Sequence, residues 1–136
     1  MKAKEAGTRI IVIDPRRSDT AISMADEWIP IRPGTDTALA IAMAYVILKE
    51  DLQDQHFMDK FCIGFDEDHM PDGVDKRENY KNYLSGGVDG IEKTPEWAEA
   101  ITGVPAAKIK ELAIEYATTK PASILPGLGV QRTSAG

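Results

Sequence analysis

The chain has 136 residues, of which 43% are hydrophobic, and this is enough for one domain with an apolar core. Its net charge of -6 argues against a general nucleic-acid-binding surface, which usually carries an excess of Lys and Arg. No segment reaches the roughly eighteen uninterrupted apolar residues of a membrane helix, so we do not expect the chain to span a membrane. The only cysteine, Cys62, excludes an internal disulfide and an all-cysteine zinc or iron-sulfur site within the chain.

A strand-helix-strand unit is predicted near the amino terminus. The apolar run Ile10–Ile13 is typical of a central parallel strand covered on both faces, and Trp28–Ile31 predicts a second strand. Ser18 or Asp19 can cap a short helix between them. Because crossovers between parallel strands are right-handed, we expect the loops after both strands to lie side by side at the carboxyl edge of the sheet, where α/β proteins bind ligands.

The first of these loops contains an aspartate and two arginines. An acidic residue at a strand end, as Asp14 is, accepts hydrogen bonds from ribose hydroxyls in dinucleotide-binding folds, but it also commonly caps the turn that follows. The guanidinium groups of Arg16 and Arg17, with that of Arg32 beside the second loop, are suited to phosphate oxygens. Residues 1–36 hold six basic and six acidic side chains, so the negative excess lies entirely beyond them.

The second loop, Arg32-Pro33-Gly34-Thr35-Asp36, leads into a helix predicted over residues 37–49. Either Thr35 or Asp36 is a suitable N-cap for this helix, and the Asp36 carboxylate can alternatively accept two N–H donors from a guanine edge. The helix is apolar nearly all round, so we expect it to be buried on most sides.

The middle of the chain is predicted to contain a short helix and then a polar excursion. Residues 54–62 have the pattern of a helix. Its apolar side holds Phe57, Met58 and Phe61. A polar, acidic and glycine-containing segment follows at about residues 64–90, with a helical turn expected over residues 79–84. The inward-facing residues of that turn are Tyr80, Tyr83 and Leu84.

The last part of the chain predicts two helices and a third strand. One helix begins at Thr94-Pro95 and ends at Gly103, and the next follows Pro105. Residues Ala122–Leu125 predict a short strand, and a glycine-bearing loop comes directly after it. We therefore expect three loops to converge on one edge of the sheet.

Three motifs occur in a fixed order: IVIDPRRSDTA, then ADEWIPIRPGTDTALAIAMAYVI, then the third apolar run followed by PGLGVQR. Together with HFMDKFCIGFDE and TPEWAEAITGVPAAKIKELA, they resemble the catalytic subunits of the dimethyl sulfoxide reductase family of molybdopterin oxidoreductases. Within that family, the chain is most similar to the catalytic chains of anaerobic dimethyl sulfoxide reductases. The resemblance covers nearly the whole chain.

Because those subunits are several times longer, the resemblance implies that residues 1–136 are one excised internal domain. Residues 1–7, which have the pattern of the last turn of a helix ended by Gly7, agree with this. The implied fold is α/β: a three-layer, Rossmann-like parallel sheet flanked by helices, with the polar excursion at about 64–90.

The resemblance also implies that the domain binds part of a bis-molybdopterin guanine dinucleotide cofactor. The loop Asp14-Pro15-Arg16-Arg17-Ser18 would line the ribose and phosphates of one guanosine. The loop Gly34-Thr35-Asp36 would meet its guanine, with Asp36 accepting from the ring N–H and amino groups. The third loop would reach the pterin through Gly127, Leu128, Gly129, Gln131 and Arg132, although Pro126 and Leu128 depart from the residues usual in close relatives.

By the same resemblance, this chain contains no catalytic residue and no metal ligand. The protein ligand of molybdenum would precede residue 1, and the cysteines of an iron-sulfur cluster would lie further upstream. The parent would reduce S-oxides or N-oxides such as dimethyl sulfoxide in anaerobic respiration, and the excised domain alone would be inactive. The implied partners are the rest of the catalytic subunit, an iron-sulfur electron-transfer subunit and a membrane anchor subunit. The implied location is periplasmic or peripheral to the bacterial inner membrane.

The sequence alone also permits a different class of function. A free-standing nucleotide-binding or protein-interaction module, with no enzymatic activity, would use the apolar helix at residues 37–49 to dock a partner. A small NAD-binding enzyme is disfavoured, because no Gly-x-Gly-x-x-Gly pattern follows the first strand.

Overall fold

The computed structural model describes residues 2–127 and Val130, and within them the chain is a mixed α/β structure. The elements in chain order are α1 (Lys2–Glu5), β1 (Ile11–Ile13), α2 (Asp19–Met24), β2 (Glu27–Ile29), α3 (Asp36–Lys49), α4 (Gln55–Phe61), α5 (Tyr80–Leu84), α6 (Pro95–Thr102) and α7 (Ala106–Thr118). Two short 3-10 turns, Glu67–His69 and Lys76–Glu78, lie between α4 and α5. Among these described elements, no helix is both long and apolar enough to cross a membrane.

The predicted strand-helix-strand unit is confirmed. Strands β1 and β2 pair in parallel, with Ile13 opposite Ile29, and α2 connects them. Ser18 is the N-cap of α2, and its Oγ accepts a hydrogen bond from the Ala21 N–H at 3.3 Å. Strand β1 begins one residue later than predicted and ends at the predicted Ile13, whereas β2 begins one residue and ends two residues earlier than predicted. Because Ile13 is 36% exposed, β1 is not covered on both faces by the described residues, and the wider three-layer sheet stays a prediction.

The hydrophobic core forms around α3, which packs against both α6 and α7. The buried residues of α3 lie along one face of the helix and share the core with Ile29 and Ile31. Its other apolar residues are partly exposed, so the prediction that the helix is buried on most sides is wrong for the described residues. The core residues contributed by the three helices and their connection are Leu39, Ala42, Met43, Val46, Ala98, Val104, Ile109, Leu112 and Ala113. Small residues such as Ala42 and Ala98, both fully buried, allow the helix backbones to approach closely.

The helix boundaries of α6 are those that the sequence predicts. Thr94 is its N-cap, with Oγ1 accepting from the Trp97 N–H at 3.2 Å, and Pro95 occupies the first helical position. Gly103 ends the helix with a φ of +76°, a left-handed conformation that glycine adopts without steric cost. These local signals are independent of the rest of the fold, which explains why they can be predicted from sequence.

The polar excursion is attached to the core through a buried lysine. The Lys93 side chain is 2% exposed, and its Nζ donates to both carboxylate oxygens of Asp89, at 2.8 and 2.6 Å. The same ammonium group lies 4.5 Å from the centre of the Tyr83 ring and 5.6 Å from that of Trp97. The hydrogen bond from Lys93 is the main cause of a lowered pKa of Asp89, so it favours the charged carboxylate. The Lys93 ammonium group thus lies between a carboxylate and two aromatic faces of the domain.

The predicted apolar side of α4 is left uncovered, and one predicted inward-facing residue of α5 is exposed. In α4, Phe57 and Phe61 are 52% and 62% exposed and lie against each other, with ring centres 5.1 Å apart. No other described helix or strand packs extensively on this side of α4, so periodicity marks an apolar face that is left uncovered. In α5, Leu84 is buried as predicted, whereas Tyr80 is 38% exposed.

The predicted strand at Ala122–Leu125 is also wrong. The segment has no regular secondary structure, and Ile124 and Leu125 are 56% and 92% exposed. An apolar run becomes a strand only when a neighbouring strand satisfies its N–H and C=O groups, and none of the described residues pairs with this one.

In the acidic part of the excursion, His69 pairs with the carboxylate of Asp66. His69 Nδ1 lies 2.5 Å from Asp66 Oδ1, and the backbone closes the same turn because the Gly64 N–H donates to the His69 carbonyl at 2.7 Å. The hydrogen bond with Asp66 is the main cause of a raised His69 pKa, above its ordinary value of 6.5. The pair therefore links the protonation of His69 to the conformation of residues 64–69.

Replacing a core residue should cost far more than replacing an exposed residue of the same type. We predict that Ile109→Ala, at a fully buried position, lowers the free energy of unfolding by about 2 to 5 kcal/mol, because it removes apolar contacts and leaves a cavity. Ile124→Ala is the matched control and should change it by less than about 0.5 kcal/mol. Urea unfolding followed by circular dichroism measures both, and equal losses would contradict this account of the core.

The His69 pair predicts a pH dependence with a definite sign. Because the folded-state pKa of His69 is raised, its protonated form stabilises the fold below about pH 6.5, and this contribution is lost as the pH rises through the folded-state value. In a proton NMR titration, we expect a His69 midpoint above 6.5 and a lower midpoint in Asp66→Asn. Identical midpoints in the two proteins would show that Asp66 does not raise the pKa of His69.

Candidate functional site

The loop after β1 places Asp14 at the carboxyl end of the strand. One carboxylate oxygen of Asp14 accepts from the Arg16 N–H at 2.7 Å, so the residue caps the following turn, which is one of the two roles expected from the sequence. The backbone N–H of Asp14 donates to the Ile29 carbonyl at 3.2 Å and extends the pairing of the two strands. Within the described residues, the second carboxylate oxygen accepts no hydrogen bond, so the turn leaves it available to a ligand.

Trp28 in β2 contacts two residues of this first loop. Its indole N–H donates to the Asp14 carbonyl at 3.0 Å, and the guanidinium carbon of Arg17 lies 5.9 Å from the centre of its rings. Trp28 was not among the candidate site residues in the sequence. An aromatic residue with a polar tip, at a strand position beside a polar loop, is the signal that could have indicated this role.

The loop after β2 turns sharply before α3. Gly34 has a φ of +73° and follows Pro33, which is the residue order of a type II turn. The Thr35 hydroxyl donates to the Arg32 carbonyl at 2.7 Å, so Thr35 occupies the N-cap position of α3 without using its side chain as a cap. Asp36 is the first residue of the helix, where the helix dipole favours a negative charge. Its carboxylate forms no hydrogen bond or ion pair with any other residue that the structure describes.

Arg32 has a different position from the other two arginines. Its guanidinium Nη1 donates to the carbonyls of Ala100 and Ile101 at 2.7 and 3.0 Å, and its backbone N–H donates to Thr102 at 2.9 Å. These carbonyls end α6, where a helix attracts a cation. The Nη1 atom of Arg32 therefore makes contacts within the domain, whereas the sequence predicts that the guanidinium group contacts phosphate. All three arginines are exposed, and among them only Arg32 has its guanidinium group hydrogen-bonded to the described residues.

The opposite ends of the strands are fixed by charged groups. Glu27 at the start of β2 pairs with Lys108 of α7 at 2.9 Å and with Arg9 at 2.6 Å, and Arg9 also pairs with Glu115. The hydrogen bond from Lys108 is the first cause of a lowered pKa of Glu27. In Asp26, the hydrogen bond from the Ile10 N–H has the same effect on the pKa. The sheet is thus held at its amino end, and its carboxyl end presents the loops.

The carboxyl edge is an open surface. Two depressions of about 300 and 390 Å³ lie elsewhere, one beside Lys4 and Met24 and the other beside Asp66 and Lys81. Among residues 2–127 and Val130, no group of three or more His, Cys, Asp or Glu side chains is placed to hold a metal ion. The edge thus offers carboxylates, guanidinium groups and a helix start, which suit a polar anionic ligand.

Two of the three predicted loops follow strands that are neighbours in the structure. Asp14-Pro15-Arg16-Arg17-Ser18 and Gly34-Thr35-Asp36 follow adjacent parallel strands and share one edge. In the third loop, Gly127 is exposed, and a Cβ added to it would meet no atom within 4 Å. Its other predicted residues, Leu128, Gly129, Gln131 and Arg132, lie outside the described residues.

Comparison with known proteins identifies the family. The family model described as molybdopterin oxidoreductase matches residues 1–136. The chain belongs to this family. Dimethyl sulfoxide reductase DmsA of Haemophilus influenzae is 54% identical over 96% of the chain, and DmsA of Escherichia coli is 53% identical over 98%. The chain spans 16% of the length of each of these relatives.

A solved structure of a family relative has the same fold. Acetylene hydratase from Pelobacter acetylenicus matches with a TM-score of 0.69 and 33% identity, over 94% of this chain and 15% of that one. The agreement confirms the α/β architecture of the chain as a part of such proteins. It also shows that this region occurs in family members named for different reactions.

We predict that Trp28→Phe loosens the first loop specifically. The variant keeps a ring beneath Arg17 but removes the hydrogen bond to the Asp14 carbonyl, which should cost about 1 kcal/mol. Amide hydrogen exchange at residues 14–18 should accelerate. Trp97→Phe is the control, because the Trp97 indole N–H has no hydrogen-bond partner in the described part of the chain. Unchanged exchange at residues 14–18 in Trp28→Phe would show that the indole does not hold the loop.

Proposed function

We propose that residues 1–136 are a single α/β domain that binds the guanosine portion of a molybdopterin guanine dinucleotide cofactor within a larger catalytic subunit. The observation that supports this most directly is the parallel pairing of β1 and β2, which directs the two polar loops that follow them to the same edge. Their chemistry is complementary to the two ends of a guanosine phosphate: guanidinium groups for phosphate, and a carboxylate for guanine.

The first loop is suited to the ribose and phosphates. Arg16 and Arg17 are exposed at its tip, and Arg17 lies over Trp28, which restricts the directions it samples. The free oxygen of Asp14 would accept from a ribose hydroxyl, while its other oxygen stays in the turn. Ser18 accepts from Ala21 as a cap, so its hydroxyl proton remains available for donation to an oxygen of the cofactor.

The second loop is suited to the guanine. A guanine edge presents a ring N–H and an amino group side by side, and one carboxylate accepts both. The Asp36 carboxylate satisfies this requirement, since no described residue occupies it. Gly34 and Thr35 would form the wall beside the base, where the absence of a side chain on Gly34 permits close approach. The N–H groups of Asp36 and Thr37, which have no carbonyl partner among the described residues, add donors at the helix start.

The rest of the site is proposed from the family resemblance. Gly127, Leu128, Gly129, Gln131 and Arg132 would reach the pterin portion of the cofactor. The cofactor supplies the redox chemistry at molybdenum, and this chain supplies binding and orientation. We also propose that β1 and β2 belong to a wider, three-layer Rossmann-like sheet in the parent, because Ile13 is left partly uncovered here.

For the parent we propose reduction of S-oxides or N-oxides, such as dimethyl sulfoxide, with a bis-molybdopterin guanine dinucleotide cofactor and an iron-sulfur cluster held outside this chain. The similarity to two bacterial proteins named dimethyl sulfoxide reductase supports the substrate class. The match to an acetylene hydratase indicates that the reaction is decided elsewhere in the subunit. The proposed partners are an iron-sulfur electron-transfer subunit and a membrane anchor, and the proposed location is periplasmic or at the bacterial inner membrane.

A protein-interaction role is the second candidate, and α4 is the observation that favours it. Phe57 and Phe61 are more than half exposed, and Ile63 beside them is 81% exposed. An apolar face of this kind is typical of a protein contact. This role and cofactor binding use different surfaces and are therefore compatible within one subunit.

The guanine contact is testable at Asp36 in the full catalytic subunit. We predict that Asp36→Asn and Asp36→Ala lower the retention of guanine nucleotide, because one or two donors of the base lose their acceptor. The cost should be on the order of 1 to 3 kcal/mol per unpaired group, or roughly 5- to 150-fold in affinity. The measurement is GMP released by acid hydrolysis per mole of purified subunit, together with its molybdenum content.

Asp51→Asn is the matched control, since Asp51 lies just beyond the other end of α3 and has a φ of 55° that asparagine tolerates. It should retain a wild-type content of GMP. Wild-type GMP in both Asp36 variants would remove the guanine role.

A further inference from the structure

We infer that Arg32 is a positioning residue: it ties the loop that carries Asp36 to the carboxyl end of α6, and thereby fixes where the Asp36 carboxylate stands. This inference rests on the proposed function for the role of Asp36, but the attachment itself is a property of the folded chain. It assigns to Arg32 a role different from the phosphate contact expected from its charge.

The attachment consists of three hydrogen bonds across a long sequence separation. Arg32 Nη1 donates to the carbonyls of Ala100 at 2.7 Å and Ile101 at 3.0 Å, and the Arg32 N–H donates to Thr102 at 2.9 Å. The last carbonyls of a helix have no partner within the helix, so one arginine satisfies groups that α6 would otherwise leave to water. Its positive charge is also favoured at this end of the helix dipole.

The acceptor end of the attachment is rigid. Thr102 is 1% exposed; its Oγ1 donates to the Ala98 carbonyl at 2.7 Å and accepts from the Val104 N–H at 3.1 Å. Gly103 then leaves the helix with a φ of +76°, and a Cβ added there would lie 3.5 Å from Arg32 Nε. The end of α6 is therefore a fixed point of the core, against which Arg32 lies closely.

The donor end leads directly to the site. The carbonyl of Arg32 accepts from the Thr35 hydroxyl at 2.7 Å, and Thr35 is the residue before Asp36. The chain of contacts thus runs from the core through Arg32 and Thr35 to the first turn of α3. Without the two side-chain hydrogen bonds, the loop would still be held by the Arg32 N–H, by the buried Ile31 before it and by α3 after it, so we expect faster local opening of the loop.

The test uses the full catalytic subunit and two readouts. In subunit produced without molybdenum cofactor, Arg32→Ala should accelerate amide hydrogen exchange at residues 35–39 by roughly tenfold, with other segments near their wild-type rates. In cofactor-loaded subunit, Arg32→Ala should lower GMP content, and the double variant with Asp36→Ala should retain as much GMP as Asp36→Ala alone. Such non-additivity is expected when one residue acts through the other.

Arg77→Ala is the matched control, since Arg77 pairs with Asp75 in the polar excursion and should leave both readouts unchanged. Unchanged exchange at residues 35–39 in Arg32→Ala would overturn the inference, as would a further loss of GMP in the double variant, which would mean that Arg32 contacts the cofactor itself. If Arg32→Ala raises the exchange rate in every segment, the milder variant Arg32→Lys provides the test. Faster exchange confined to residues 35–39 in Arg32→Lys would support the inference. Wild-type exchange at these residues would overturn it. A wild-type content of GMP in Asp36→Ala would instead contradict the proposed guanine contact. The exchange rates at residues 35–39 would still test whether Arg32 attaches the loop to α6.

Discussion

The structure depends on the packing of α3 against α6 and α7. The buried face of α3, formed by Leu39, Ala42, Met43 and Val46, shares one hydrophobic core with these two helices and with Ile29 and Ile31. The polar first turn of the same helix lies at the edge where the strands end, so the packing that stabilises the domain also places Asp36. Loss of core packing and loss of the site are therefore coupled in this chain.

The two ends of the strands are stabilised in different ways, and the difference is consistent with the proposed function. At the amino end, the carboxylate of Glu27 forms ion pairs with Arg9 and Lys108. At the carboxyl end, the loops are held largely by donors to backbone carbonyls, from Trp28 to Asp14 and from Arg32 to α6. Fixing a loop through its backbone leaves side chains such as Asp36 and Arg16 free for a ligand, and a site held this way is organised before binding.

Much of the fold was predictable because its signals are local. The Thr94-Pro95 start and Gly103 end of α6, and the parallel unit around α2, depend on residues close together in sequence. The failures required knowledge of distant partners. Leu125 is apolar but has no strand to pair with, the uncovered face of α4 lacks a neighbour, and the burial of Lys93 depends on Tyr83, Trp97 and Asp89 together. In the site, residue type and loop position indicated Asp14 and Asp36, whereas the contact of Arg32 with α6, nearly 70 residues away, left no pattern in the sequence.

A structure of the intact catalytic subunit with its cofactor bound tests the central claim most directly. The account predicts that a guanine ring lies within hydrogen-bond distance of the Asp36 carboxylate, with its ribose and phosphates against residues 14–18 and with Arg32 still bound to the end of α6. Density for the guanosine at any other part of this chain, or contacts to the cofactor made only by the rest of the subunit, would contradict it.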